Sequence, residues 1–252
     1  MPRYDFRTPR LFLDSPLQAG LTAALDPSQA NYLVNVLRLV PGAEMLAFNG
    51  RDGEWRGRLA RTGKKAVQLE IAEQTRPQTA PGDLHYLFAP LKHARLDYMA
   101  QKAVEMGASR LQPVITRHTQ AQRVNTERMR ANAIEAAEQC GILAIPEIGE
   151  PIALDAMIRE WVPERLLVFC DEHADVADPV TALAAGRDDA LIGPAPVSLL
   201  IGPEGGFAQE ERTALLKFPN VIRLALGPRI LRADTAAVAA LTLVQTVLGD
   251  WR

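Results

Sequence analysis

Two glycine-rich segments in the last fifth of the chain have the residue types of a ligand-binding site. The first, at residues 202–207, reads GPEGGF, and the second, at residues 227–236, reads GPRILRADTA. Each follows a short apolar run and precedes a helical pattern, which predicts a strand, a loop and a helix in that order. Glycines at the carboxyl ends of parallel strands let a ligand approach the backbone. A pair of tight strand-to-helix turns without a ligand is the alternative interpretation.

The spacing of these glycines does not match the common phosphate-binding loops. Gly202, Gly205 and Gly206 give G-x-x-G-G instead of G-x-G-x-x-G, and no Gly-Lys-Ser/Thr sequence occurs in the chain. The loops are therefore expected to present backbone groups to an adenine and a ribose. The four histidines and two cysteines have no metal-ligand spacing, so no metal site is predicted.

Alternating strand and helix patterns surround the two loops from residue 84 to residue 252. Strands are predicted at 84–89, 111–116, 166–170, 197–201 and 221–226, and the apolar runs at 166–170 and 197–201 are typical of buried parallel strands. Helical patterns lie between them, at about 125–139, 209–216 and 235–248 among others. This alternation predicts an α/β domain built on a mostly parallel sheet.

The first 72 residues predict a separate, small β-rich domain. One helix interrupts it, beginning at Asp26, where Pro27 and Gln29 complete a capping-box pattern. Residues 1–72 carry ten Lys or Arg against seven Asp or Glu, although the whole chain has a net charge of −2. Residues 73–83 lack apolar periodicity and are predicted to be a linker.

A row of arginines in this small domain is a candidate RNA-contacting surface. The segment from Glu54 to Leu59 alternates, which predicts a strand that presents Glu54, Arg56 and Arg58 on one face. Arginines projecting together from a sheet suit contacts to phosphates. An ordinary solvated face is the alternative interpretation.

The cellular setting is also indicated by the composition. No apolar run approaches the ~20 residues that span a bilayer, and residues 1–7 lack the apolar core of a signal peptide. We therefore expect a cytoplasmic protein with free thiols.

The two loops together resemble the signature of the SPOUT class of methyltransferases. IGPEGGF at 201–207 and LGPRILRADTA at 226–236 carry this likeness. Within the class, the chain is similar to the bacterial enzymes that methylate N3 of a uridine in the decoding region of 16S rRNA. Further similar segments are RLF at 10–12, VLR at 36–38, KAVEMG at 102–107 and AIEAAEQCG at 133–141.

The resemblance implies a fold, a cofactor and partners. It implies a PUA-like N-terminal β-barrel that binds RNA and a C-terminal domain with a deep trefoil knot. It also implies S-adenosylmethionine as methyl donor, 16S rRNA as substrate and a homodimer. The near-neutral net charge of −2 indicates that recognition depends on a shaped site, so we expect the assembled small ribosomal subunit instead of free RNA as substrate. The residues that it assigns to the cofactor are Leu200, Ile201, Gly202, Gly205, Leu226, Gly227, Ile230 and Leu231.

Two residues depart from the family pattern. Asp234 stands where the family usually has Glu, so a role in positioning is in doubt. Ala208 stands where a helix-capping Ser or Thr is common, and loss of such a cap typically costs ~1 kcal/mol of stability.

The chemistry of uridine N3 methylation points to three catalytic candidates. N3 is protonated at neutral pH, so it must lose its proton or become more acidic; a carboxylate could take the proton, and an arginine beside O2 or O4 could stabilise the anion. Glu204 and Glu138 are the candidate carboxylates, and Arg232 is the candidate arginine. A structural role is the alternative for each: a cap or brace for Glu204, a solvated helix face for Glu138, and an ion pair with Asp234 or Glu204 for Arg232.

Six arginines are candidate RNA-binding residues, and other functions stay open. The arginines lie in the N-terminal segment and after the strand at 111–116, and they are Arg7, Arg10, Arg56, Arg58, Arg117 and Arg123. The alternatives are methylation of another base or of a ribose 2′-hydroxyl, a non-catalytic ribosome-assembly factor, and an enzyme that binds a nucleotide phosphate.

Overall fold

The chain forms two compact units in the computed structural model. The structure describes residues 5–61, 63, 66–92, 94–121, 123–174, 178–186 and 196–251. The first unit comprises Met1–Ala80 and Ile134–Ile145, and the second comprises Pro81–Ala133 and Pro146–Arg252. The return of the chain to the first unit at 134–145 was not anticipated from the sequence.

The first unit is built on a five-stranded sheet. Its strands are β1 (Arg10–Phe12), β2 (Thr22–Ala24), β3 (Glu44–Phe48), β4 (Glu54–Arg61) and β5 (Val67–Arg76). They lie in the order β1-β3-β4-β5-β2, with β1 and β3 parallel and the other pairs antiparallel. Strand β5 continues to Arg76, into the segment that the sequence analysis predicts as linker.

The predicted capping box begins an α-helix between β2 and β3. Helix α1 (Pro27–Asn31) continues as a π-helical turn at Tyr32–Val36. The Asp26 carboxylate accepts hydrogen bonds from the N–H groups of Ser28 and Gln29, and the Gln29 side chain accepts one from Asp26 N–H. These bonds satisfy N–H groups that the first helical turn leaves free, so this prediction is confirmed.

The expected alternation of β4 is confirmed. Glu54, Arg56 and Arg58 pair with consecutive same-face residues of β3, while Trp55 and Leu59 on the other face pack into the core of the first unit. The pairing register with β5 shifts twice, and the extra residues lie in β5. Glu54 is nevertheless buried, only 3% exposed, where Arg10 and Arg76 contact its carboxylate.

The second unit has the predicted parallel α/β fold. The strands are β6 (Leu84–Phe88), β7 (Arg110–Ile115), β8 (Glu147–Ile148), β9 (Ile152–Ala153), β10 (Leu166–Cys170), β11 (Val197–Ile201) and β12 (Val221–Leu224). They form a sheet in the order β12-β10-β11-β6-β7-β8, and β9 also pairs with β7. Each of these pairings is parallel.

Helices connect these parallel strands. They are α2 (Ala94–Glu105), α3 (Thr126–Cys140), α4 (Leu154–Arg159), α5 (Pro179–Ala185), α6 (Gln209–Leu215) and α7 (Ala233–Val247). The second half of α3 belongs to the first unit, where Ala137 packs with Phe12 and Phe48. Within the described part of the chain, no helix is both long and apolar enough to cross a membrane.

Candidate active site

A pocket of about 280 Å³ lies at the carboxyl ends of three adjacent strands of the second unit. Strand β10 lies between β11 and β12, so the loops after all three meet at one edge of the sheet. This edge is where open α/β sheets bind ligands. The lining residues belong to three segments: 170–172 after β10, 201–207 after β11, and 224–236 after β12.

Two glycines are required by the shape of this pocket. A Cβ at Gly202 would lie 2.5 Å from the ring of Phe207, whose edge packs against Phe169 at 5.0 Å between ring centroids. Gly227 has φ +90°, the left-handed region that other residues rarely adopt. A side chain at Gly202 would therefore displace the aromatic ring that ties the first loop to the core, while Gly227 lets the second loop turn.

Six of the eight residues assigned to the cofactor line the pocket. They are Ile201, Gly202, Leu226, Gly227, Ile230 and Leu231. The other two do not. The Leu200 side chain is fully buried in the core with Leu167 and Phe169. Gly205 presents its carbonyl oxygen to His118 Nδ1 at 3.2 Å.

A buried carboxylate holds the elements around the pocket together. Asp171, at the end of β10, accepts hydrogen bonds from Arg212 Nη2 at 2.9 Å and from Arg223 Nε and Nη2 at 3.0 and 2.8 Å. Burial alone would raise the pKa of Asp171, but these bonds and one from His173 N–H hold it below its ordinary value. Since Arg212 lies in α6 and Arg223 in β12, the cluster fixes both glycine loops relative to β10. Sequence analysis missed Asp171.

The loop after β7 is attached to the first glycine loop. His118 Nδ1 lies 3.2 Å from the carbonyl oxygen of Gly205 and 3.1 Å from that of Gly206, so Nδ1 must carry a proton and donate it. Nearby, the Glu211 carboxylate accepts from Arg117 N–H at 2.7 Å and from Ala208 N–H at 2.9 Å. Glu211 thus supplies one half of a capping box, the bond to the N–H of residue 208, while the half that a Ser or Thr side chain would provide is missing.

The catalytic candidates of the second unit differ in what surrounds them. Glu204 lines the pocket, and its Oε1 lies 3.8 Å from Arg95 Nη1. Arg232 is exposed and precedes α7 as its N-cap. Its side chain makes no ion pair or hydrogen bond with any described residue, and the Asp234 carboxylate accepts from Thr235 N–H instead. The alternative in which Arg232 pairs with Asp234 or Glu204 is therefore absent from the described structure.

Glu138 is in the first unit and has a structural contact there. Its Oε1 accepts a hydrogen bond from Phe12 N–H at 2.8 Å. Burial raises the pKa of Glu138, the bond from Phe12 opposes this in part, and the nearby charge of Glu135 adds to it. The expected alternative of a solvated helix face is wrong, because β1 covers this part of α3. Glu138 is not among the residues that line the pocket.

Comparison with known proteins identifies the family. The family model for the RNA methyltransferase domain matches residues 78–245, two thirds of the chain, and a model for the RNA methyltransferase PUA domain matches residues 25–72. The chain belongs to the RNA methyltransferase family. It is 28% identical to the ribosomal RNA small subunit methyltransferase E of Rickettsia conorii, over 96% of both chains.

Two solved structures resemble the whole chain. A Legionella pneumophila protein in complex with S-adenosylmethionine is 30% identical, with a TM-score of 0.80 over 95% of this chain and 98% of that one. The ribosomal RNA small subunit methyltransferase E of Neisseria gonorrhoeae, bound to S-adenosylmethionine, is 25% identical. Its TM-score is 0.81 over 98% of this chain and 100% of that one. The family resemblance inferred from the sequence is therefore confirmed.

Four of the six arginines predicted to bind RNA in this methyltransferase have acidic partners. Arg10 is buried, and its Nε lies 2.7 Å from Glu54 Oε2, so it cannot reach phosphates as predicted. Arg56 pairs with Glu73 at 3.1 Å, Arg58 with Glu44 at 3.4 Å, and Arg117 with Glu210 at 3.8 Å. Arg7 and Arg123 are exposed, and their side chains contact no described acidic group.

Cys170 lies in the wall of the pocket but is not a nucleophile. Burial, with a contribution from the nearby Asp171 charge, raises the pKa of the Cys170 thiol to about 12. The thiol therefore stays protonated at neutral pH and acts as a small, weakly polar surface.

Proposed function

We propose that this chain uses S-adenosylmethionine to methylate N3 of a uridine in the decoding region of 16S rRNA, on assembled small ribosomal subunits. One observation carries the proposal: the pocket is lined by six of the eight residues that the resemblance assigns to the cofactor. The small-subunit methyltransferases of Rickettsia and Neisseria, similar over nearly the whole chain, support the substrate class. The homodimer, the trefoil knot and the cytoplasmic location belong to the same proposal.

The residues around the pocket fit the cofactor. Ile201, Leu226 and Leu231 provide apolar surface for an adenine, and Gly202 leaves its backbone accessible. Glu172 and Glu204 line the same pocket, and carboxylates suit both ribose hydroxyls and the positive charges of a sulfonium and an ammonium group. When bound, the cofactor supplies an electrophilic methyl group.

The protein side chains prepare the nucleophile. N3 is on the base-pairing edge of uracil, so the uridine must be unpaired or turned out of its helix to reach the pocket. We assign the acceptance of the N3 proton to a Glu204 carboxylate oxygen, which Arg95 helps to position. The guanidinium of Arg232, which has no partner among the described residues, would donate hydrogen bonds to O2 or O4 and stabilise the uracil anion. Glu138 is the weaker candidate, because its carboxylate is already bonded to Phe12.

The test is methyl transfer from labelled S-adenosylmethionine to undermethylated small subunits, with the product nucleoside identified by mass spectrometry. The expected product is 3-methyluridine. Label in another base or in a ribose would contradict the N3 assignment, and cofactor binding without transfer to subunits would contradict the substrate. Free 16S rRNA serves as the comparison, and equal transfer to it would contradict the requirement for assembled subunits.

A further inference from the structure

The exposed cations of the described residues differ in whether a carboxylate lies opposite them. In the small β-sheet, Arg56 and Arg58 each face a glutamate on a neighbouring strand. Opposite charges at this distance cancel much of the field that a phosphate would feel. The predicted arginine row is therefore nearly neutral as a surface.

A second group of cations has no such partners. Lys92, Arg123 and Arg229 are exposed, and within the described residues their side chains make no ion pair or hydrogen bond. An exposed cation of this kind can neutralise an RNA phosphate, which releases cations condensed on the RNA and so favours association. Because the whole chain has a net charge of −2, binding must depend on such local groups.

These three cations lie at one edge of the second unit's sheet. Lys92 follows β6, Arg123 follows β7 and Arg229 follows β12, and the strands are parallel, so all three come after carboxyl ends. Arg229 lines the pocket itself. The turn at Lys92 leads directly into α2, where Arg95 contacts Glu204 of the pocket.

The loop that carries Arg123 is attached to the same site. His118, earlier in this loop, contacts the carbonyl oxygens of Gly205 and Gly206 in the first glycine loop. The three cations thus follow strands on both sides of the pocket, β12 on one side and β6 and β7 on the other. A nucleotide that enters the pocket would bring its neighbouring phosphates to this edge.

We propose that Lys92, Arg123 and Arg229 bind the RNA phosphates that flank the target nucleotide, and that the Arg56–Arg58 row does not. This inference deepens the proposed function and rests on RNA being the substrate. It places the main electrostatic contacts in the unit that contains the pocket. Substrate binding and positioning of the base would then depend on the same loops.

The test is the salt dependence of binding to undermethylated small subunits, measured for Lys92→Gln, Arg123→Gln and Arg229→Gln. Each lost phosphate contact should reduce the slope of log K against log salt by ~0.7–0.9. The corresponding loss of affinity is about sixfold near 0.1 M salt, if the electrostatic contribution vanishes near 1 M. The triple variant should reduce the slope by the sum of the three single reductions.

The chain offers matched controls at the opposite edge of the same sheet. Arg159 ends α4 before β10, and Lys217 follows α6 before β12, and both are exposed without partners among the described residues. Arg159→Gln and Lys217→Gln should leave the slope unchanged. An equal loss in these controls would mean that only net charge matters and would overturn the proposal.

The remaining outcomes distinguish a failure of this proposal from a failure of the proposed function. A reduced slope for Arg56→Gln and Arg58→Gln, with no change for the three edge variants, would overturn the surface proposed here. If the wild type makes 3-methyluridine while the edge variants bind normally, the surface is wrong and the function stands. If the wild type makes no methylated nucleoside but the edge variants show a reduced slope of log K against log salt, the proposed function is wrong and the proposed RNA-binding surface stands.

Discussion

Replacing Asp171 with Asn should destabilise the second unit and weaken its cofactor pocket together. The side chain of Asp171 is only 2% exposed, and its Oδ2 accepts three hydrogen bonds from Arg212 and Arg223. An asparagine keeps the shape but loses the negative charge, and it turns an N–H group or a single neutral oxygen toward two guanidinium groups. The variant therefore leaves two positive charges without their counter-charge.

The magnitude follows from how much water reaches the two arginines. Breaking a buried ion pair by removing one partner typically costs about 3–5 kcal/mol. The side chains of Arg212 and Arg223 are 17% and 32% exposed, so water can compensate part of the loss. We therefore expect a cost near the lower limit, about 3 kcal/mol. For a chain of this size that corresponds to a fall in Tm of roughly 6–12 °C.

The assay is thermal and urea unfolding of Asp171→Asn beside a matched control, Asp83→Asn. Asp83 also pairs with an arginine, Arg165, at 2.6 Å, but its side chain is 49% exposed. Exposed pairs contribute about 0–1 kcal/mol, so the control should change little. Calorimetry should also show weaker binding of S-adenosylmethionine to Asp171→Asn. If the two variants were equally stable, the reasoning about the buried cluster would be refuted.

The pH dependence has a defined sign. The pKa of Asp171 is lowered in the folded protein, so its stabilising effect is complete at pH values above the pKa of an unfolded aspartate, about 3.9. The effect is lost as the pH falls from there through the lowered folded pKa. The stability difference between wild type and Asp171→Asn should thus be constant between about pH 5 and about pH 8 and shrink below about pH 4.

Three further predictions concern the pocket itself. Gly227→Ala should cost about 1–2 kcal/mol by differential scanning calorimetry, since φ is +90° and no atom blocks a Cβ, and it should also weaken cofactor binding. Gly42→Ala, at φ +89° in the first unit, should cost the same stability but leave cofactor binding unchanged. If both variants lost the same cofactor affinity, the assignment of Gly227 to the cofactor pocket would be contradicted. His118→Ala should raise the cofactor Kd, measured by calorimetry, because the carbonyl oxygens of Gly205 and Gly206 lose their donor. His118→Asn should restore part of the affinity. An unchanged Kd in both variants would contradict the positioning role of His118. Arg232→Ala should lower kcat on small subunits by about 10²-fold or more with an unchanged cofactor Kd, whereas unchanged turnover would exclude the arginine from catalysis.

Local sequence patterns were sufficient for the elements that frame the site. The capping box at Asp26 was predicted because its bonds join residues only two or three positions apart. Strand β11, which leads to residue 202, was predicted because a buried parallel strand is a short, mostly apolar run, and β12 was predicted from a similar run that is interrupted by Arg223. The glycines mark the loops because turns and close approaches exclude other side chains.

The charged side chains could not be assigned in the same way. Asp171 meets Arg212 and Arg223, which lie 41 and 52 positions away in the chain, and no local periodicity encodes that meeting. Glu54 is buried by contacts with Arg10 and Arg76, which lie 44 and 22 positions away in the chain. Strand pairing places Glu73 opposite Arg56 and Glu44 opposite Arg58, so a predicted row of cations became a set of ion pairs.

The sequence by itself determined that this chain has a β-rich N-terminal unit, a parallel α/β unit, and two glycine loops at the carboxyl ends of strands. Backbone conformation and burial are local properties, which residue type and period express directly. Only the tertiary structure decided which charges are free. It paired Arg56 and Arg58 with glutamates, engaged Glu138 with β1, and left Arg232 available beside the pocket. The energy of a charge depends on partners and water brought near by the fold, and these are not written in the neighbouring sequence.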